Sequence, residues 1–230
     1  MAGYILLEGG AEFGGRMAEA DRRAIELAGG VDVPIRIVPT AAAPDHNHAR
    51  AGANGVRWFR GLGARDVVSL PLIDRASAER AEIAAELRAA RLIYLLGGFT
   101  HHLGQTLQDS ASWRAIAEAH AAGAVVAGSS AGAMVLCEHY YDPQGGRVVE
   151  GLGMVPRACV LPHHDTFGKG WVPRLAELLP VSLLLGIDER TGMLNDGSAG
   201  AWRVYGRGSV TIYRGGRPTA HRPGEEFALE

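Results

Sequence analysis

Ser130 is the central residue of Gly128-Ser129-Ser130-Ala131-Gly132, a segment flanked by the apolar runs Ala124-Val125-Val126-Ala127 and Ala133-Met134-Val135-Leu136. A G-x-S-x-G pattern at a sharp strand-to-helix turn suits a nucleophilic serine. The flanking glycines are needed because a side chain there would meet neighbouring backbone, and the hydroxyl is left standing above the sheet. The first backbone N–H groups of the new helix, beginning with Ala131, would point toward a developing oxyanion. The same five residues also serve α/β proteins as a plain tight connection, so the chemical reading depends on finding partners.

A serine nucleophile needs a base, and Pro162-His163-His164 follows the apolar run Ala158–Leu161, downstream of the serine at an expected strand end. Gly97-Gly98 follows Leu92–Leu96 in the same manner, and its paired glycines let a backbone N–H approach a ligand closely; Gly98 is the candidate second oxyanion donor. The glycine-rich stretch Glu8–Gly15 invites a phosphate-cradle reading. It lacks a Gly-Lys-Ser/Thr ending and does not fit G-x-G-x-x-G, so close packing at an active-site edge is preferred. His46-Asn47-His48 has metal-ligand spacing, but no further ligands cluster beside it, and a helix start with Asp45 as N-cap accounts for it; no metal is expected.

The elements that would position these groups follow from periodicity. Short apolar runs at Tyr4–Leu7, Pro34–Val38, Asp66–Leu70, Leu92–Leu96 and Val125–Val126 alternate with helical patterns at Met17–Leu27, from the Asp45 cap to about Phe59, at Ala76–Ala90 and at Trp113–Ala122. After the Ser130 helix, Tyr140–Gly146 reads as irregular. Ala158–Leu161 and Ser182–Ile187 read as further strands separated by a helix over Trp171–Leu179, and Ala201–Tyr205 and Ser209–Tyr213 alternate like antiparallel strands. The expected fold is therefore α/β: a mostly parallel, doubly wound sheet with helices on both faces and short antiparallel C-terminal strands, in one domain over residues 1–230. In such sheets ligands bind beyond the carboxyl ends of the strands, where the Gly9, Thr40, Gly98, Ser130 and His163 loops are expected.

Composition narrows the function further. With 23 basic and 25 acidic residues the net charge is −2, which leaves no electrostatic footprint for nucleic acid or an anionic membrane surface. Two cysteines, Cys137 and Cys159, argue against a disulfide framework and suit buried thiols in a reducing compartment. No targeting segment and no run near the ~20 apolar residues of a membrane span is present, so the expectation is a cytoplasmic, soluble chain.

Several stretches taken together resemble the peptidase E and cyanophycinase family of serine peptidases, which have a class I glutamine-amidotransferase-like fold. The matching pieces are Glu8-Gly9-Gly10-Ala11-Glu12, Pro39-Thr40-Ala41, Gly97-Gly98-Phe99-Thr100, Gly128–Ala133, Pro162-His163 and Gly186–Thr191, in the family's order over about residues 4 to 195. The resemblance implies Ser130 as nucleophile, His163 as base, and an oxyanion hole from the N–H groups of Gly98 and Ala131, with Phe99, Thr100 and Glu189 at the substrate. It also implies a triad acid between serine and histidine, where Asp142 fits best by position and Glu138 and Glu150 are the alternatives. His164 is the poorer base, because the match is to the Pro-His pair. This chain has Phe99 where peptidase E members commonly carry Asn, and the Asp-Gln-His-Phe stretch typical of cyanophycinases is absent.

The sequence thus predicts a serine peptidase or amidase acting on a small peptide or amide through an acyl-enzyme, with no metal or organic cofactor, as a monomer or homodimer. An esterase with the same triad, or a non-catalytic binding module on the same fold, are the rival readings.

Overall fold

The computed structural model describes residues 3–229. The first half of the chain alternates strands and helices: β1 (Ile5–Glu8), α1 (Met17–Ala28), β2 (Ile35–Val38), α2 (His48–Gly61), β3 (Val67–Ser69), α3 (Arg75–Ala78), α4 (Ala81–Ala89), β4 (Leu92–Leu95), α5 (Thr100–Leu107), α6 (Ala111–Ala121), β5 (Val125–Ser129) and α7 (Ala131–Leu136). A hairpin of β6 (His139–Asp142) and β7 (Arg147–Glu150) follows. After it come β8 (Ala158–Leu161), α8 (Val172–Leu178), β9 (Leu183–Ile187), β10 (Thr191–Leu194), β11 (Trp202–Gly206), β12 (Val210–Arg214), β13 (Arg217–His221) and β14 (Glu226–Phe227).

The main sheet has the order β14-β11-β10-β1-β5-β4-β2-β3. Its strands from β1 to β3 pair in parallel, while β10, β11 and β14 add antiparallel strands beside β1. β1, β2, β4 and β5 are buried at every position, as strands covered by helices on both faces must be. Alternate residues of each strand feed two cores. Ile5, Ile93 and Val126 pack with Met134 and Leu103 on one face, and Leu6, Tyr94 and Ala127 pack with Met17 and Phe59 on the other. This is the α/β class expected from the alternation of elements.

Four local expectations change. The helix expected from an Asp45 cap starts at His48, with Asn47 in the cap position. The helix anticipated over Ala76–Ala90 is two, because Asp74 and Ser77 form a capping box that starts α3, and Arg80 then turns extended before α4. Tyr140–Gly146, read as irregular, holds the end of β6 and its turn into β7. The Ala158–Leu161 strand does not join the main sheet. It pairs in parallel with β9 in a second sheet of order β13-β12-β9-β8, and this displacement determines which acid reaches the histidine. Among the described residues no helix is long and apolar enough to cross a membrane.

Candidate active site

β5 delivers Ser130 at its carboxyl end, and α7 begins at the next residue. The turn is as tight as the sequence requires: a Cβ on Gly128 would lie 2.4 Å from the Gly132 carbonyl carbon, and one on Gly132 would lie 2.1 Å from the Leu95 oxygen. Ser130 itself has φ 49° and ψ −112°, a conformation that costs a non-glycine residue on the order of 1–3 kcal/mol and persists only where the surroundings impose it. They do so here: its N–H donates to the Glu8 oxygen at 3.0 Å, tying the Ser130 turn to the end of β1. The neighbouring Ser129 hydroxyl donates to Glu12 Oε2 at 3.0 Å.

β8 carries His163 to the same rim, with its Nε2 3.1 Å from Ser130 Oγ. The imidazole is held on several sides. Its backbone N–H donates to the Gly9 oxygen at 2.7 Å, and its ring stacks on Phe167 with centroids 4.9 Å apart at 22°. Gly10 lies against the ring, where a Cβ would come within 2.3 Å of Cε1. The other ring nitrogen, Nδ1, is 2.8 Å from Glu189 Oε1. Glu189 is in turn fixed by its backbone N–H, which donates to Asp165 Oδ1 at 2.9 Å.

The carboxylate beside the imidazole is therefore Glu189, expected at the substrate, and not Asp142, expected as the orienting acid. The physical reason is topological. The β6–β7 hairpin carries Asp142 to the opposite flank, where Oδ1 accepts from the Gln144 N–H and Oδ2 lies 3.7 Å from Arg147 Nε. There Asp142 lines a pocket of about 380 Å³ with Gly98, Phe99, Thr100 and His101. The alternatives also point elsewhere: Glu138 accepts from the Arg157 N–H, and Glu150 ends β7 on an exposed edge. By contrast, the parallel pairing of β8 with β9, with Leu161 opposite Gly186, sends the residues after both strands out side by side. A signal was present in the sequence, since Pro162-His163 and Asp188-Glu189 each follow an apolar run closely. His164 is buried between Asp188 Oδ1 at 3.3 Å and the Tyr213 hydroxyl at 2.9 Å, which accounts for it as a structural residue.

Gly97 and Gly98 cross beside Ser130: a Cβ on Gly97 would lie 3.2 Å from Ser130 Cβ. The strand end is anchored by the Phe99 N–H, which donates to the Ala41 oxygen at 2.8 Å. Ala131, as the first residue of α7, has an N–H that no intrahelical carbonyl can claim.

Beneath the turn lies a buried acid pair. Glu8 accepts a short hydrogen bond from the Tyr94 hydroxyl, and Asp21 Oδ2 accepts from Trp58 Nε1 at 2.7 Å. Burial pushes the Asp21 carboxyl up to about 7, and burial together with the Asp21 charge raises Glu8 well above the usual carboxylate range. No cluster of three or more His, Cys, Asp or Glu able to hold a metal ion occurs among the described residues, and both cysteines are buried and free.

Residues 5–199 match the sequence profile of Peptidase family S51. The chain is 31% identical over 226 residues to the cyanophycinase of Synechococcus elongatus, spanning 91% of this chain and 67% of that protein. It is 30% identical over 219 residues to the cyanophycinase of Trichormus variabilis, spanning 90% and 72%. Among solved structures, a peptidase from an acI-B1 Actinobacterium superposes with a TM-score of 0.87 at 31% identity, over 99% of this chain and 97% of that one. A putative peptidase E from Listeria monocytogenes superposes with a TM-score of 0.63 at 19% identity, over 93% and 99%, and speaks for the fold alone.

Proposed function

Because the chain belongs to peptidase family S51 and is a serine-type peptidase, we propose that it hydrolyses a small peptide or amide through an acyl-enzyme on Ser130, with His163 as base and Glu189 as the acid that orients it. The observation that carries this reading is the continuous contact Ser130 Oγ to His163 Nε2 at 3.1 Å and His163 Nδ1 to Glu189 Oε1 at 2.8 Å.

His163 Nε2 takes the Ser130 proton as Oγ attacks the scissile carbonyl. Glu189 accepts from Nδ1–H, which fixes the tautomer that leaves Nε2 free and stabilises the imidazolium as it forms. The carbonyl oxygen becomes an oxyanion that accepts from the N–H groups of Ala131 and Gly98, groups already in place before the charge develops. Collapse of this intermediate transfers the proton from His163 to the leaving amine, and a water activated by the same imidazole then releases the acyl group. On the oxyanion flank, Phe99, Thr100 and Asp142 are the groups available to the acyl portion of the substrate.

A fluorophosphonate probe tests the assignment. It should label the native chain and not Ser130→Ala, and labelling that survives this substitution, or an inert native chain, would refute the nucleophile.

A further inference from the structure

Three arginines from distant parts of the chain wall a pocket of about 420 Å³ together with Gly15: Arg16, Arg190 and Arg207. Arg16 ends the loop between β1 and α1, Arg190 lies between β9 and β10, and Arg207 lies between β11 and β12. The backbones of Arg190 and Arg207 are locked together at the junction of the two sheets. The Arg190 N–H donates to the Gly10 oxygen at 2.9 Å, and the Arg207 N–H donates to the Arg190 oxygen at 3.0 Å. Arg190 has φ 56°, a left-handed conformation uncommon outside glycine, so the fold holds this side chain's origin against a local cost.

Other arginines of the chain find carboxylates: Arg23 pairs with Asp196, Arg36 with Asp66 and Glu86, and Arg203 with Glu226. Arg16, Arg190 and Arg207 have no side-chain hydrogen bond or ion pair to any described residue. Three guanidinium groups wall one pocket without an ion pair among the described residues, and their fork-shaped donors match an oxyanion ligand.

The pocket lies on the histidine flank of the catalytic centre. Arg190 directly follows Glu189, whose carboxylate meets His163 Nδ1, and its N–H holds Gly10, the residue against the imidazole ring. In acyl transfer the imidazole hands its proton to the departing amine, so this flank is the leaving-group side, whereas Phe99 and Asp142 flank the oxyanion donors. On a peptide the anion available there is a carboxylate. We propose that the pocket formed by Arg16, Arg190 and Arg207 binds a carboxylate on the leaving-group residue of the substrate, either its terminal α-carboxylate or an acidic side chain. The assignment to the leaving group rests on the reading of Ser130 and His163 given above.

Calorimetric titration at constant ionic strength tests the proposal with L-glutamate as probe. Glutamate should bind the native chain saturably. Its dissociation constant should rise at least tenfold in Arg16→Gln/Arg207→Gln, and it should hold in Arg22→Gln/Arg50→Gln, which removes the same charge outside the pocket. Circular dichroism establishes that both variants fold. L-glutamine, which keeps only the α-carboxylate, and L-isoglutamine, which keeps only the side-chain carboxylate, identify the source by which of them retains binding. Absent binding of glutamate, or equal weakening by both double variants, would overturn the site. Saturating glutamate should also slow fluorophosphonate labelling of the native chain, and an unchanged rate would detach the pocket from the substrate. Failure of the native chain to label at all, with arginine-dependent glutamate binding intact, would instead remove the catalytic reading of Ser130 and leave an anion site.

Discussion

Glu189 Oε1 lies 2.8 Å from His163 Nδ1, although the two residues come from the ends of different strands, β8 and β9. Asp142, nearer in sequence to both Ser130 and His163, faces the Gly98–Phe99 flank. Glu189→Gln should therefore lower kcat by roughly 10³- to 10⁴-fold, the scale seen when an orienting acid is lost, while Asp142→Asn should act mainly on KM with kcat within about tenfold. Steady-state kinetics on any cleaved peptide separates the two, and the reverse ranking would return the acid to the β6–β7 hairpin.

Gly10→Ala should disable the imidazole without touching it chemically. Its Cβ would lie 2.3 Å from His163 Cε1, and its φ of 112° is strained for any L side chain. The expected outcome is a fall in kcat of about 10² or more with fluorophosphonate labelling slowed in proportion. A Tm lowered by only a few degrees would localise the damage to the histidine.

Phe167→Ala removes the ring stacked on His163 at 4.9 Å while leaving both of the imidazole's polar contacts in place. An aromatic pair contributes about 0.5–1.5 kcal/mol, so kcat/KM should fall between about two- and tenfold. Since Phe167 is 53% exposed, the Tm should hardly move, and a large stability loss would count against this account.

The buried Asp21 should make stability fall with pH. Its carboxyl titrates at about 7 in the folded chain against a reference value of 3.8, so the stabilisation of its protonated form is fully present below about 4 and is lost as pH rises through about 7. Asp21→Asn removes that ionisation and keeps an oxygen for Trp58 Nε1. Denaturant titrations at pH 5 and pH 8 should show the native chain losing more stability between them than the variant, and parallel losses would show that Asp21 does not carry the dependence.

Much of this was legible in the sequence because it is local chemistry. Gly128 and Gly132 signal a turn with no room for a Cβ, and the alternating apolar runs imply strands covered on both faces. The Glu189 partnership was hidden because it depends on β8 leaving the main sheet to pair with β9, a choice that neither strand's composition reveals. The arginine pocket was hidden more deeply. Positions 16, 190 and 207 share no spacing, and only the meeting of three inter-element loops brings them together.

Ser130 and the His163 imidazole follow strands of separate sheets, joined at this point by the bonds from His163 N–H to the Gly9 oxygen and from Arg190 N–H to the Gly10 oxygen. A slight parting of the two along that seam would pull base from serine while every strand kept its own ladder. Partial openings of this kind lie below global unfolding in free energy. On warming, turnover would therefore fade at temperatures where the far-ultraviolet spectrum is still that of the intact protein.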